Sequence, residues 1–251
     1  MCRHLAYLGP ETAIGEVVSA PPHSLFTQSW APRRQAHGTV NADGFGVGWY
    51  AQDDPVPARY RRAGPIWGDL SFADLARVVR TRALMAAVRD ATEPSADGEA
   101  GASPFASGVW LFSHNGAVRD WPDSLAEAAA ALPPAALLNL TARCDSALVW
   151  ALVLHRLRLG HAPGEALAGA VETVAAAGPG SRLNLLLLDG STIAATAWGD
   201  TLWYRAEPGH AVVVASEPYD DDPRWTEVPD HTLLTATRTE VLLAPLKEAS
   251  A

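Results

Sequence analysis

The second residue of the chain is a cysteine that follows the initiator methionine directly. Methionine aminopeptidases remove Met1 when the next side chain is small, and cysteine qualifies. Cys2 would then carry a thiol and a free α-amine on one residue. An α-amine has an unperturbed pKa of about 7.7 to 8.0, so near neutrality it can accept the thiol proton and later protonate a leaving amine. Nucleophile and base would thus come from a single residue, which suits acyl transfer from an amide. A terminal cysteine can equally be inert, so the rest of the machinery must be found elsewhere in the chain.

Three further segments carry residue types that such a reaction needs. His114-Asn115-Gly116 follows the apolar run Val109-Trp110-Leu111-Phe112, where Asn-Gly ordinarily closes a strand in a tight turn. The same pair has a second use, because the Asn115 side-chain amide and the Gly116 backbone N–H can converge on one developing oxyanion. Arg89 lies in Ala87-Val88-Arg89-Asp90-Ala91-Thr92, just after an apolar strand. It is either a solvated loop arginine or a clamp for a substrate α-carboxylate, since a planar guanidinium donates two parallel hydrogen bonds. Asp145, in Arg143-Cys144-Asp145-Ser146, stands before a helix. There it reads as an N-cap, or, if it faces a pocket, as the partner of a substrate ammonium.

Composition excludes several other functions. Of 251 residues, 48% are apolar and 19% charged, which is the balance of a folded globular chain, and the length fits one domain spanning 1–251. A net charge of −9 argues against a nucleic-acid partner, because phosphates would have to be neutralised by a basic surface that this chain does not supply. No apolar run approaches the roughly 20 residues that span a bilayer, and the terminus does not read as a secretory signal, so a cytoplasmic protein without a membrane partner is expected. The two cysteines, Cys2 and Cys144, are expected to be free thiols. Without Cys-x-x-Cys or His-Glu-x-x-His spacing, no metal site is indicated.

The elements that must position these residues follow from periodicity. Strands are predicted at 2–8, ending at the turn pair Gly9-Pro10, at 46–50 with a return at 60–62, and at 84–88 and 109–113. A helix is predicted over 69–80 from the spacing of Leu70, Ala73, Leu75, Val78 and Val79, followed later by an Ala-rich helix after Asp123 and helices over 146–159 and 163–177. The Pro94–Pro104 stretch reads as a loop and a plausible lid. Beyond it, 183–188, 192–198, 202–205 and 211–216 are short β-type runs divided by Asp189-Gly190, Gly199-Asp200 and Pro208-Gly209, the pattern of an antiparallel meander, with edge strands at 228–236 and 239–243. Strands, then helices, then strands predict an α+β domain with helices outside two antiparallel sheets.

Met1-Cys2-Arg3-His4, Asn41-Ala42-Asp43-Gly44-Phe45-Gly46, Arg89-Asp90-Ala91-Thr92, His114-Asn115-Gly116 and Asp145-Ser146 occur in the order and approximate spacing of the class II glutamine amidotransferase domain, which the chain resembles from Cys2 to at least Ser216. The resemblance implies a four-layer αββα sandwich of the N-terminal-nucleophile hydrolase type and no cofactor. It implies that Cys2 attacks a γ-glutamyl carbonyl, that Asn115 and Gly116 form the oxyanion hole, and that Arg89 and Thr92 hold the α-carboxylate while Asp145 holds the α-amine. His114, which opens its motif, is placed with the substrate-binding residues, and the Asn41–Gly46 turn would wall the site. The arginine segment departs from the synthase pattern: Ala87 and Val88 stand where His and Thr are usual, Asp90 where Trp is usual, and Glu93-Pro94 where His-Gly is common.

No synthase domain accompanies the motifs, so stand-alone hydrolysis of a small-molecule γ-glutamyl substrate is the simplest expectation. The opening Met1–Gly9 and the later Ala215-Ser216-Glu217-Pro218 with Trp225 are similar to the γ-glutamyl amidohydrolases of ergothioneine biosynthesis, which implies γ-glutamyl-hercynylcysteine sulfoxide as substrate. A glutaminase or amidotransferase subunit that passes ammonia to a separate partner, and a non-catalytic binding module on the same fold, are the competing readings. Oligomeric state is not legible.

Overall fold

A computed structural model describes residues 2–91 and 98–247. Its thirteen described strands are β1 (Cys2–Ala13), β2 (Phe45–Trp49), β3 (Ala58–Arg62), β4 (Arg80–Arg89), β5 (Phe105–Ser107), β6 (Trp110–Ala117), β7 (Arg182–Leu188), β8 (Ile193–Ala197), β9 (Trp203–Glu207), β10 (Ala211–Ala215), β11 (Thr226–Glu227), β12 (Thr232–Ala236) and β13 (Val241–Pro245). The α-helices are α1 (Ile14–Val18), α2 (Leu25–Gln28), α3 (Leu70–Val78), α4 (Ala126–Ala130), α5 (Pro134–Leu138), α6 (Asp145–Arg158) and α7 (Pro163–Ala177).

The strands form two antiparallel sheets, ordered β11-β9-β10-β1-β4-β2-β3 and β13-β12-β8-β7-β6-β5. Period-two alternation divides each strand between two environments. In β1, Leu5 and Tyr7 join Val17, Val18 and Phe72 beneath α1 and α3, whereas Ala6 and Leu8 meet Leu111, Leu186 and Ala195 between the sheets. In β6 and β7, Phe112, Leu185 and Leu187 pack against Val149, Leu167 and Val171 of α6 and α7. Three apolar cores between four layers give the αββα sandwich expected from the resemblance.

Several local expectations are corrected. Gly9-Pro10 does not end β1, which runs on to Ala13 through an irregularity in its register with β4 between Leu8 and Thr12. A bulge there absorbs the residue that cannot donate to the ladder, and the Tyr7 hydroxyl donates to the Pro10 carbonyl (2.8 Å). Asn115-Gly116 is no turn: it lies within β6, with Asn115 opposite Asn184 and Gly116 opposite Leu183. The four C-terminal runs are not one meander, because β7 and β8 belong to one sheet and β9 and β10 to the other. The Gly199-Asp200 link, with Gly199 at φ 84°, carries the chain across. The Ala-rich segment forms two short helices, the second capped by Pro133 and opened by Pro134, and β12 is interior to its sheet, flanked by β8 and β13. Of the proposed lid, 94–97 lie outside the described residues, and Gly98–Gly101 is a short 3₁₀ turn.

Candidate active site

β1 is a central strand, flanked by β10 and β4, and its first residue is Cys2, placed opposite Arg89 at the end of β4. Adjacent strands therefore bring the thiol and the guanidinium to one end of the intersheet cleft, although 87 positions separate them in sequence. β6, in the facing sheet, supplies the third group: the backbone N–H of Cys2 donates to Asn115 Oδ1 at 3.2 Å. That donor fixes the orientation of the Asn115 amide. Its Nδ2 is the side left to donate, and makes a long contact of 3.4 Å to Ser216 Oγ.

Burial pushes the Cys2 thiol above its ordinary value. The backbone N–H of Asp90 and the charge of Arg89 work against that rise, while Asp145 adds to it. Desolvation is the largest of these effects, so the thiol is protonated near neutrality and needs a base. Neighbouring His4 is not one. Burial, reinforced by His114 and Arg3, holds it down at about 3, and its Nδ1 is engaged with Ser113 Oγ (3.1 Å).

Gly116 is fixed by sterics. A Cβ at this position would collide with the Arg182 carbonyl oxygen and lie 2.7 Å from His114 Nε2. His114 is buried, and both of its ring nitrogens have protein partners, Arg182 O at 2.9 Å from Nε2 and Ser146 Oγ at 3.0 Å from Nδ1. A carbonyl only accepts, so Nε2 carries the proton and Nδ1 accepts from Ser146. With both ring nitrogens engaged by the protein, the ring braces Gly116 on one side and the start of α6 on the other, while the residue also lines the cavity.

Asp145 is the first residue of α6 rather than its N-cap, a position taken by Cys144 without a side-chain capping bond. Asp145 Oδ2 accepts from Val118 N–H (2.9 Å) and Oδ1 from Ser146 N–H (2.7 Å), which orients the carboxylate beside the cleft. The Arg89 guanidinium packs against Gly101, where an added Cβ would lie 3.0 Å from Nη1. The Asn41–Gly46 turn, for which the sequence suggested no chemistry, grips the backbone of this arginine. Asp43 N–H donates to Arg89 O (2.9 Å), Arg89 N–H to Gly44 O (2.8 Å), and Ala91 N–H to Asp43 Oδ2 (2.9 Å). Thr92 lies outside the described residues.

Cys2, Arg89, His114, Gly116 and Asp145 line one cavity of about 450 Å³, within the range of small-molecule sites. Asn115 is fully buried behind this lining and joined to it by the bond from the Cys2 N–H. Sequence reasoning missed Ser146 and Ser216 as supports; the serine beside each quoted motif residue was the available signal. Across this cleft a γ-glutamyl group would have a thiol at its carbonyl, an amide and a backbone N–H for its oxyanion, and a guanidinium and a carboxylate at its α-carbon. If Arg89 holds the α-carboxylate, Arg89→Lys is expected to lower kcat/KM by at least about tenfold on every γ-glutamyl substrate alike, because a point charge does not reproduce a bidentate contact. Steady-state kinetics on two such substrates check this.

Residues 18–210 match the family of class-II glutamine amidotransferases. Over 251 aligned residues the chain is 42% identical to the gamma-glutamyl-hercynylcysteine sulfoxide hydrolase of Mycolicibacterium smegmatis, covering 98% of this chain and 100% of that protein. Among solved structures, the glutamine aminotransferase class-II domain protein of Silicibacter pomeroyi superposes with a TM-score of 0.71 at 25% identity, over 98% of this chain and 100% of that one. The glutamine phosphoribosylpyrophosphate amidotransferase of B. subtilis shares the fold, with a TM-score of 0.69 at 16% identity over 98% of this chain and 49% of that one. A family match over most of the chain, a full-length relative and the shared sandwich lead to one assignment: the chain belongs to the class II glutamine amidotransferases.

Proposed function

We propose that the protein hydrolyses the γ-glutamyl amide bond of γ-glutamyl-hercynylcysteine sulfoxide, releasing glutamate, as a single-domain cytoplasmic enzyme of ergothioneine biosynthesis. The observation that carries this reading is identity of 42% over essentially the whole length of a relative named for that hydrolysis. The cavity that joins Cys2 to Arg89 and Asp145 supports it, as the size and polarity of the cleft suit a γ-glutamyl group.

In this reading Met1 is removed and the α-amine of Cys2 occupies the place where the backbone nitrogen now meets Asn115 Oδ1. The amine takes the thiol proton, and sulfur attacks the γ-carbonyl. Asn115 Nδ2 and the Gly116 N–H stabilise the oxyanion, and the α-ammonium then protonates the departing nitrogen. The thioester left on Cys2 is hydrolysed by water, which regenerates the thiol and frees glutamate. Arg89 and Thr92 hold the α-carboxylate of the glutamyl group and Asp145 its α-ammonium. His114 keeps Gly116 and Ser146 in register. The substrate is a small molecule, with neither nucleic acid nor membrane as partner; among the described residues no helix is long and apolar enough to cross a bilayer.

The test compares kcat/KM for glutamine, γ-glutamyl-cysteine and the hercynyl compound, following glutamate release. A remote group that binds can orient the scissile bond, so the hercynyl compound should be preferred by at least about tenfold, with gains in kcat as well as KM. Equal rates on all three would leave the Cys2 chemistry intact and replace the ergothioneine assignment with a general γ-glutamyl amidase. Preference for glutamine would favour an ammonia-supplying subunit.

A further inference from the structure

Gly101 and Ser103 line the cavity together with Cys2 and Arg89, yet the strand that fastens them, β3, lies outside the lining. β3 is the outer strand of its sheet, with Arg61 opposite Gly46 and Arg59 opposite Gly48 of β2. Tyr60 packs into the core beneath the helices, so by period-two alternation Arg59 and Arg61 point to the other face, towards the facing sheet. There they meet the chain at and after the 3₁₀ turn. Arg61 Nη1 donates to the carbonyls of Ala100 (3.3 Å) and Ala102 (3.1 Å), and Arg59 Nη1 to that of Pro104 (3.1 Å).

β2 leaves room for these bonds. A Cβ at Gly46 would collide with the Ser103 carbonyl oxygen and lie 2.8 Å from Arg61 Cγ. With glycine there, the buried residues 101–104 lie directly on the strand and the stem of Arg61 passes beside them.

Gly101 stands between the two carbonyls that Arg61 holds, and it is also the residue in contact with Arg89. An added Cβ at Gly101 would be almost equally close to Nη1 (3.0 Å), Cζ (3.1 Å) and Nη2 (3.2 Å) of that guanidinium. Near-equal distances to these three atoms put Gly101 over the flat face of the group, not along the edge on which its N–H bonds point. A bidentate grip on a carboxylate needs the guanidinium plane in one orientation, and a fixed surface against its face limits tilting out of that plane.

We propose that Arg61 is a positioning residue for substrate binding: by pinning the Ala100 and Ala102 carbonyls it holds Gly101 against the Arg89 guanidinium, and so sets that group for a bidentate grip on the substrate α-carboxylate. This rests on the γ-glutamyl reading of the cleft, in which Arg89 holds that carboxylate. Arg61 itself touches neither the substrate nor the reacting atoms.

The experiment measures kcat and KM for γ-glutamyl-cysteine and for 4-aminobutanoyl-cysteine, which lacks only the α-carboxylate, following cysteine release. The parent is expected to prefer the carboxylate by about tenfold or more in kcat/KM. In Arg61→Gln that preference should fall by at least about threefold, through a higher KM for γ-glutamyl-cysteine with kcat within about twofold, and Arg61→Lys should recover part of it. Gly101→Ala, which presses on the guanidinium face, should lower the preference likewise. In an Arg89→Lys background, Arg61→Gln should lower it no further, because both changes act on one contact. Equal loss on both compounds in Arg61→Gln, or a further loss of preference in the Arg89→Lys background, overturns the proposal and leaves Arg61 a support of the fold. An unchanged preference in Gly101→Ala overturns it as well, even where Arg61→Gln fails to fold. A parent that shows no preference, or that turns over neither compound, overturns the γ-glutamyl reading of Arg89 and this proposal with it.

Discussion

Cys2→Ala is expected to abolish glutamate release from every γ-glutamyl substrate and to leave the fold intact. The thiol is the proposed nucleophile, with the α-amine of the same residue as its base. Folding should survive because Cys2 is half-buried at the end of β1, and the change removes one sulfur where the strand is already anchored by pairing to β4. Cys2→Ser keeps at most a trace, since a hydroxyl is a far weaker nucleophile at neutral pH. Intact mass belongs in the same experiment: protein that retains Met1 should be as inactive as Cys2→Ala, because its nitrogen is an amide and cannot accept the thiol proton. Turnover above a few per cent in Cys2→Ala, or full activity in material that carries Met1, would sink the mechanism. A thermal melt within a few degrees of the parent confirms that lost activity is lost chemistry.

The second large effect is expected at Asn115. Removing one oxyanion donor typically costs about 10²- to 10³-fold in kcat. Here the side chain has two contacts, since Oδ1 also accepts from the Cys2 nitrogen. Asn115→Ala removes both and should fall at the upper end of that range. Asn115→Asp separates them: an acceptor for the Cys2 nitrogen is kept, the donor is lost, and a negative charge is placed where negative charge must develop. The aspartate variant should therefore be at least as slow as the alanine variant. Pre-steady-state acylation rates are the measurement of choice, because they isolate the step that builds the oxyanion. If Asn115→Ala stays within tenfold of the parent, the oxyanion is stabilised elsewhere.

The types and order of the site residues were legible from the sequence because they depend on chemistry, and the layer pattern because it depends on periodicity. What was not legible depends on pairing partners far away in the chain. Asn115-Gly116 read as a turn because the dipeptide is a local turn signal. Its actual environment is set by β7, about 70 residues downstream, which gives Asn115 a ladder partner in Asn184. The same limit hid the crossing of Gly199-Asp200 from one sheet to the other, since two successive hairpins look alike whether or not they share a sheet. The partners of His114 were hidden for a different reason: a histidine beside a catalytic motif suggests a ligand, and only the carbonyl of Arg182 and the hydroxyl of Ser146 reveal that both nitrogens are engaged. The Asn41–Gly46 turn gave no hint of its grip on Arg89 because both bonds to that residue run through backbone groups, which every residue has.

The nucleophile begins a strand hydrogen-bonded on both sides, by β4 and by β10, and this reverses the ordinary behaviour of a chain end. Termini usually fray, because nothing beyond them holds them in place. Here fraying would disturb the ladder to β4 from Cys2 itself and the ladder to β10 from Leu5 on, so the strand is tied down from its first residue. Such a design ties competence to the exact starting point of the polypeptide. In the proposed mechanism any residue ahead of Cys2 would cap the amine that serves as base. In that mechanism folding and activation are separable, because the sandwich needs no free amine to assemble and removal of Met1 supplies only the base.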